Sequence, residues 1–242
     1  MQIRAVLWDI DDTLFDYTGA DTAGLARWLA EQGLDGLHGT PERALRTWRE
    51  ATERHWERFS GGQVSFRGQR RDRVRDFLQR PGLTDEEAEV WFGRYLEHYE
   101  AAWALFPDVL PVLDALTDTH RHGLLSNSSA PVQERKMRSL GLWERFEVLV
   151  CAAELGVSKP EAEAFLAGCA ALGLEPAEVA YVGDNREIDA LGARDAGLVA
   201  VWLDRRGDGG PAPEGTHRIE GLAELPGVLA GHTRFGARSG IR

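Results

Sequence analysis

Several short apolar runs end in residues suited to chemistry at an anionic centre. The first, Ile3–Ile10, passes into Trp8-Asp9-Ile10-Asp11-Asp12-Thr13-Leu14. Asp9 and Asp11 are two residues apart, and like charges that close repel unless a cation sits between them. The pair reads either as a divalent-metal site with a carboxylate nucleophile or as a polar turn closing a strand, since Asp is common in turns. Val179–Gly183 passes into Gly183-Asp184-Asn185-Arg186-Glu187-Ile188-Asp189. Asp184 stands at the tip, and Asp189 lies about a turn into the next helix, where it can point back to the same spot. The plainer reading is an acidic helix start favoured by the dipole. His122–Ser126 delivers Ser126 and Asn127, which suit a phosphoryl oxygen or a helix cap. Lys159, before Pro160, reads as an amine at the mouth of the sheet or as a solvated surface group; the proline fits the first turn of a helix.

These residues need a scaffold. The near-continuous apolar runs Ile3–Ile10, His122–Ser126, Phe146–Ala152, Val179–Gly183 and Leu198–Leu203 fit strands buried on both faces of a parallel sheet. The last four alternate with the helical patterns Pro131–Leu140, Glu161–Leu172 and Glu187–Ala196. That rhythm predicts a doubly wound α/β domain, whose ligands gather outside the carboxyl ends of the strands. From Asp16 to Leu105 no strand is evident. Leu45, Trp48, Thr52, Trp56 and Phe59 recur at helical steps. Val64–Leu78 and Asp85–Trp103 also read as helices, the latter opened by a Thr84/Glu87 capping box. The expected division is an α/β core (1–15 and 106–232), an inserted all-helical cap (16–105) and a loose tail (233–242). Gly207–Gly215 reads as a Gly/Pro loop.

Taken together, the positions resemble the haloacid-dehalogenase-like hydrolase superfamily. Asp9-x-Asp11-x-Thr13, Ser126, Lys159, and Gly183-Asp184 with Asp189 occur in that order, with Leu140-Gly141-Leu142 after the second motif and a helical cap after the first strand. The resemblance implies a Rossmann-like sheet of order 3-2-1-4-5. It implies a phosphatase acting on a small phosphorylated metabolite, such as a sugar phosphate or nucleoside monophosphate. Asp9 is the implied nucleophile, forming an aspartyl-phosphate. Asp11 protonates the leaving oxygen and then deprotonates water. Mg²⁺ is held by Asp9, Asp184 and the Asp11 backbone carbonyl, an oxygen-rich set suited to a hard cation. Asp189 lies in or near the outer shell, and Thr13 ties the loop together. Ser126 and Lys159 bind phosphoryl oxygens, and Asn127 is placed with the substrate-binding residues. Dehalogenases of the family lack the second Asp, so Asp11 favours phosphate esters. Phosphonate-cleaving relatives use a cap lysine, and this cap has none. A phosphomutase and a non-catalytic binder of phospho-ligands stay open, although the binder would be favoured by a lost motif residue and none is lost.

The cap is expected to close over the site and select the leaving group. Arg70 and Arg71, after the Gly61–Phe66 loop, are its candidates for contacting substrate. Most of its tryptophans (Trp28, Trp48, Trp56, Trp91, Trp103) are expected to be core. Composition narrows the partners. The 242 residues carry 28 basic and 39 acidic side chains, a net charge of -11. That balance argues against nucleic-acid polymers and anionic membranes. Among the basic residues only Lys136 and Lys159 are lysines. Cys151 and Cys169 form no framework, the start does not resemble a signal peptide, and no run nears ~18 apolar residues. The expected location is therefore the cytoplasm. Monomer and homodimer stay open.

Overall fold

The computed structural model describes residues 2–207 and 209–235. It divides into two units: residues up to Asp16 together with those from Ala104 onward, and Tyr17–Trp103. The chain opens with β1 (Ala5–Trp8) and continues through α1 (Tyr17–Glu31), α2 (Pro41–Ser60), α3 (Phe66–Leu78) and α4 (Asp85–Ala101). It then forms α5 (Val109–Leu116), β2 (Arg121–Ser126), α6 (Ala130–Ser139), β3 (Val148–Cys151), the single turn α7 (Ala152–Leu155) and α8 (Ala162–Leu172). After β4 (Val179–Gly183) a π-helical segment, Arg186–Leu191, runs into α9 (Gly192–Asp195), followed by β5 (Val199–Leu203), β6 (Thr216–Ile219) and α10 (Leu225–Phe235).

In the first unit six strands form one sheet, ordered β3-β2-β1-β4-β5-β6, with every pairing parallel. The expected five-strand order is present. A sixth strand is added at the edge, just beyond the Gly/Pro loop. Every residue of β1 and β4 is buried, as strands covered on both faces require. Leu7, Leu125, Phe165, Cys169 and Tyr181 form much of the core between sheet and α8. Burying each Leu or Phe contributes about 1.5–3 kcal/mol. In register, Trp8 pairs with Leu124 on one side and Val182 on the other. The carboxyl ends of β1, β2 and β4 are thereby brought level, which is what positions the motif residues. Two expected boundaries differ. The proposed tail begins inside α10, which continues to Phe235, and residues 236–242 lie outside the described residues. Pro160 precedes α8 by two residues instead of opening it.

The helical unit is built on aromatic packing. Trp28 and Trp48 are fully buried, with Phe77 and Tyr95 ring centroids within 4.5–5.9 Å of one or both. Trp56, Trp91 and Trp103 are only half-buried. Asp21, also fully buried, accepts from Trp48 Nε1 (2.9 Å), Tyr95 OH (2.8 Å) and Arg49 Nε (3.2 Å). α1 and α4 touch at Gly24, where a Cβ would lie 2.7 Å from Tyr99 Cα. The capping box forms: Thr84 N–H donates to Glu87 Oε2 (2.8 Å) and Glu87 N–H to Thr84 Oγ1 (3.2 Å). Among the described residues no helix is long and apolar enough to cross a membrane.

Candidate active site

Beyond β1 the chain folds into a tight loop. Leu14 and Phe15 N–H both donate to the Ile10 carbonyl (3.0 and 2.9 Å), and Asp12 N–H donates to the Phe15 carbonyl (2.7 Å). Asp12 takes a left-handed conformation, φ 59°, which costs a non-glycine residue about 1–2 kcal/mol. The loop is anchored by a residue with no sequence signature. Arg205 grips both Asp108 carboxylate oxygens (3.0 and 3.1 Å) and donates to the Thr13 carbonyl (2.8 Å). Thr13 thus joins the loop to its surroundings through its backbone. Its buried hydroxyl has no hydrogen-bond partner among the described residues.

At the level strand tips Lys159 forms the hub. Its ammonium donates to Asp9 Oδ1 (2.6 Å), Tyr181 OH (2.8 Å) and Asp189 Oδ1 (2.8 Å), satisfying all three N–H groups. Asn127 supports it from behind: Oδ1 accepts from Lys159 N–H (2.7 Å) and Nδ2 donates to the Lys159 carbonyl (2.9 Å). The Asn127 amide therefore engages Lys159, not open space. Asp189, reached through the π-helical segment, also accepts from Tyr181 OH (3.0 Å) and Asn185 N–H (3.0 Å). Gly183 makes this possible, because a Cβ there would overlap the Asp189 side chain. Trp202 Nε1 donates to the Asp184 carbonyl (2.9 Å), fixing that strand tip.

Asp9, Asp184 and Asp189 each offer a carboxylate oxygen within 4.8 Å of the others. Their three negative charges face one ammonium, and the imbalance shows in proton affinity. Burial, followed by its acidic neighbours, pushes Asp9 up to about 7 despite Lys159. Burial, then Asp9 and Asp189, pushes Asp184 up to about 8. Burial opposes the charge on Lys159, but Asp189 and Asp9 outweigh it and hold the amine more firmly protonated than usual. An oxygen-only set with two uncompensated negative charges fits a hard divalent cation.

Asp11 lies half-exposed beside this cluster. Its Oδ2 accepts from Gln133 Nε2 (2.9 Å), its Oδ1 pairs with Lys136 Nζ, and Gln133 also donates to Ser126 Oγ (2.9 Å). Gln133, Lys136 and Tyr181 went unrecognised in the sequence. One clue was available: Lys136 is one of only two lysines, and Gln133 lies three positions before it on the helix after Ser126. Arg70 and Arg71 belong to α3 in the other unit. There Arg70 stacks over the Phe66 ring (4.2 Å), and Arg71 pairs with Asp85 and with Glu89 (3.8 Å).

Comparison with known proteins adds four findings. A family model described as haloacid dehalogenase-like hydrolase matches residues 3–197. The chain is 29% identical over 226 residues to the phosphoserine phosphatase of Thermus thermophilus, covering 84% of this chain and 89% of that one. It is 31% identical over 207 residues to the glyceraldehyde 3-phosphate phosphatase of Methanopyrus kandleri, covering 84% of each. Among solved structures, a 2-haloacid dehalogenase from Pseudomonas syringae matches with a TM-score of 0.70 at 29% identity, over 96% of this chain and 100% of that chain.

Proposed function

The chain belongs to the haloacid dehalogenase-like hydrolase family, and we propose that within it the protein is a Mg²⁺-dependent phosphatase of small phosphorylated metabolites. Asp11 carries this reading. A phosphate ester releases an oxygen that needs a proton, whereas a carbon–halogen bond releases a halide that does not. A carboxylate two residues from the nucleophile, beside a cation-competent acidic cluster, suits the first reaction. The two phosphatase relatives support the substrate class.

In this reading an Asp9 oxygen attacks phosphorus, and the ester P–O bond breaks as Asp11 gives its proton to the leaving oxygen. Asp11 then takes a proton from water, whose oxygen attacks phosphorus and releases Asp9. Lys159 holds Asp9 in place and favours its charged form, and Ser126 offers its hydroxyl to a phosphoryl oxygen. Bound Mg²⁺, held by Asp9, Asp184 and the Asp11 carbonyl with Asp189 behind them, supplies charge neutralisation for the transferring group. Alanine at both Arg70 and Arg71 is expected to raise KM for the best substrate.

A panel of phosphorylated metabolites assayed with Mg²⁺ tests the reading. Asp9→Asn and excess EDTA each abolish turnover, and added Mg²⁺ restores it in the second case; full activity under either condition rejects the mechanism. The haloacid dehalogenase likeness favours a second reading, hydrolysis of a 2-haloacid. Halide release that survives Asp11→Asn would select it.

A further inference from the structure

We propose that Lys136 and Gln133 are positioning residues: together they clamp the Asp11 carboxylate in the orientation from which it transfers a proton. This rests on the reading of Asp11 as the acid–base group. The two residues lie three apart on α6, so they share a helix face. Both are buried, and each takes one oxygen of Asp11: Gln133 Nε2 lies 2.9 Å from Oδ2, and Lys136 Nζ pairs with Oδ1. The Asp11 side chain is 36% exposed, and a short half-exposed carboxylate has several staggered rotamers open to it. Donors on both oxygens select one of them.

The arrangement is costly to maintain. Ordering a lysine side chain costs conformational entropy, and burying an ammonium costs solvation that only pairing offsets. Of 28 basic residues only two are lysines, and both place a buried ammonium on a motif aspartate. Lys136 also sits 4.2 Å over the Phe15 ring, so it meets the nucleophile loop at two points. Gln133 extends the clamp to Ser126 Oγ at 2.9 Å, setting the acid–base carboxylate and the hydroxyl in one frame.

The test compares kcat/KM for phenyl phosphate and p-nitrophenyl phosphate with the full chain and Mg²⁺. The esters have similar shape, but nitrophenolate leaves without a proton and phenolate does not. With a covalent intermediate, kcat/KM covers only the steps through leaving-group departure. Asp11→Asn is expected to lose far more on phenyl phosphate. Equal losses in that variant reject Asp11 as the acid, and the clamp with it. Where Asp11→Asn is selective, Lys136→Met should show the same preference, losing at least about tenfold more on phenyl phosphate. Adding Lys136→Met to Asp11→Asn should then cost nothing further. No loss, or equal loss on both esters, in Lys136→Met overturns the clamp and leaves the role of Asp11 standing. Should Lys136→Met not fold, Gln133→Met keeps the cation and carries the same comparison.

Discussion

The Tyr181 hydroxyl lies 2.8 Å from Lys159 Nζ and fills the third acceptor position of an ammonium whose other N–H groups reach Asp9 and Asp189. Tyr181 also donates to Asp189 Oδ1 at 3.0 Å. Tyr181→Phe therefore leaves a buried N–H and a buried carboxylate oxygen each one partner short. Denaturant unfolding should register a loss of about 1–3 kcal/mol. Unchanged stability would mean that the ammonium finds another acceptor.

Gly183 and Asp189 are packed so closely that a methyl group cannot enter between them. Gly183→Ala must displace the Asp189 carboxyl, and overpacking of this kind costs about 1–3 kcal/mol. The displaced group would loosen Lys159 as well. The variant should fold, need more Mg²⁺ for half-maximal activity and turn over more slowly. Titration of activity against Mg²⁺ checks this, and a wild-type curve would show that the strand tip can yield.

His122, opposite Val6 in the sheet, accepts a hydrogen bond from Trp8 Nε1 at 3.1 Å through Nδ1. Only the neutral ring can accept there, and burial pushes its pKa from 6.5 down to about 4. The unfolded chain takes up the proton near pH 6.5, but the folded chain does so only near pH 4. The stability is therefore complete above pH 6.5 and is lost as pH falls, by about 3 kcal/mol at pH 4. The unfolding free energy lost between pH 7 and pH 4.5 should be larger in wild type than in His122→Met by most of that amount. Parallel loss in the two proteins would assign the acid sensitivity elsewhere.

In the helical unit Asp21 is a fully buried carboxylate holding Trp48, Tyr95 and Arg49. Asp21→Ala strands two buried donors and opens a space beside Trp48. A loss of about 3 kcal/mol is expected in calorimetry. A loss under about 0.5 kcal/mol, typical of surface sites, would mean that water replaces the carboxylate.

Legibility in the sequence followed burial. The five apolar runs were readable because parallel strands are apolar on both faces. The edge strand Thr216-His217-Arg218-Ile219 pairs with β5 and carries three polar residues in a row, so it left no such run. The expected helix Glu187–Ala196 begins as a π-helical segment, with Ala190 N–H bonding the Asn185 carbonyl at 3.2 Å. Such segments cluster at functional sites and have no distinct residue pattern. Thr13 matched its motif, but its link to the surroundings runs through its carbonyl and Arg205, 192 residues away.

By itself the sequence determined which side chains stand at the strand tips: Asp9 and Asp11 after β1, Ser126 at the end of β2, and Asp184 after β4. Local patterning suffices for that, because a strand's end is marked by the residues around it. Only the tertiary structure decided which groups meet. Asp11 and Lys136 are 125 residues apart, and Asp9 and Lys159 are 150 apart. Their contact depends on the parallel register that brings β1, β2 and β4 level. That register is set by the packing of the whole sheet and by no short stretch of it. Through it a chain with two lysines places each one against a motif aspartate.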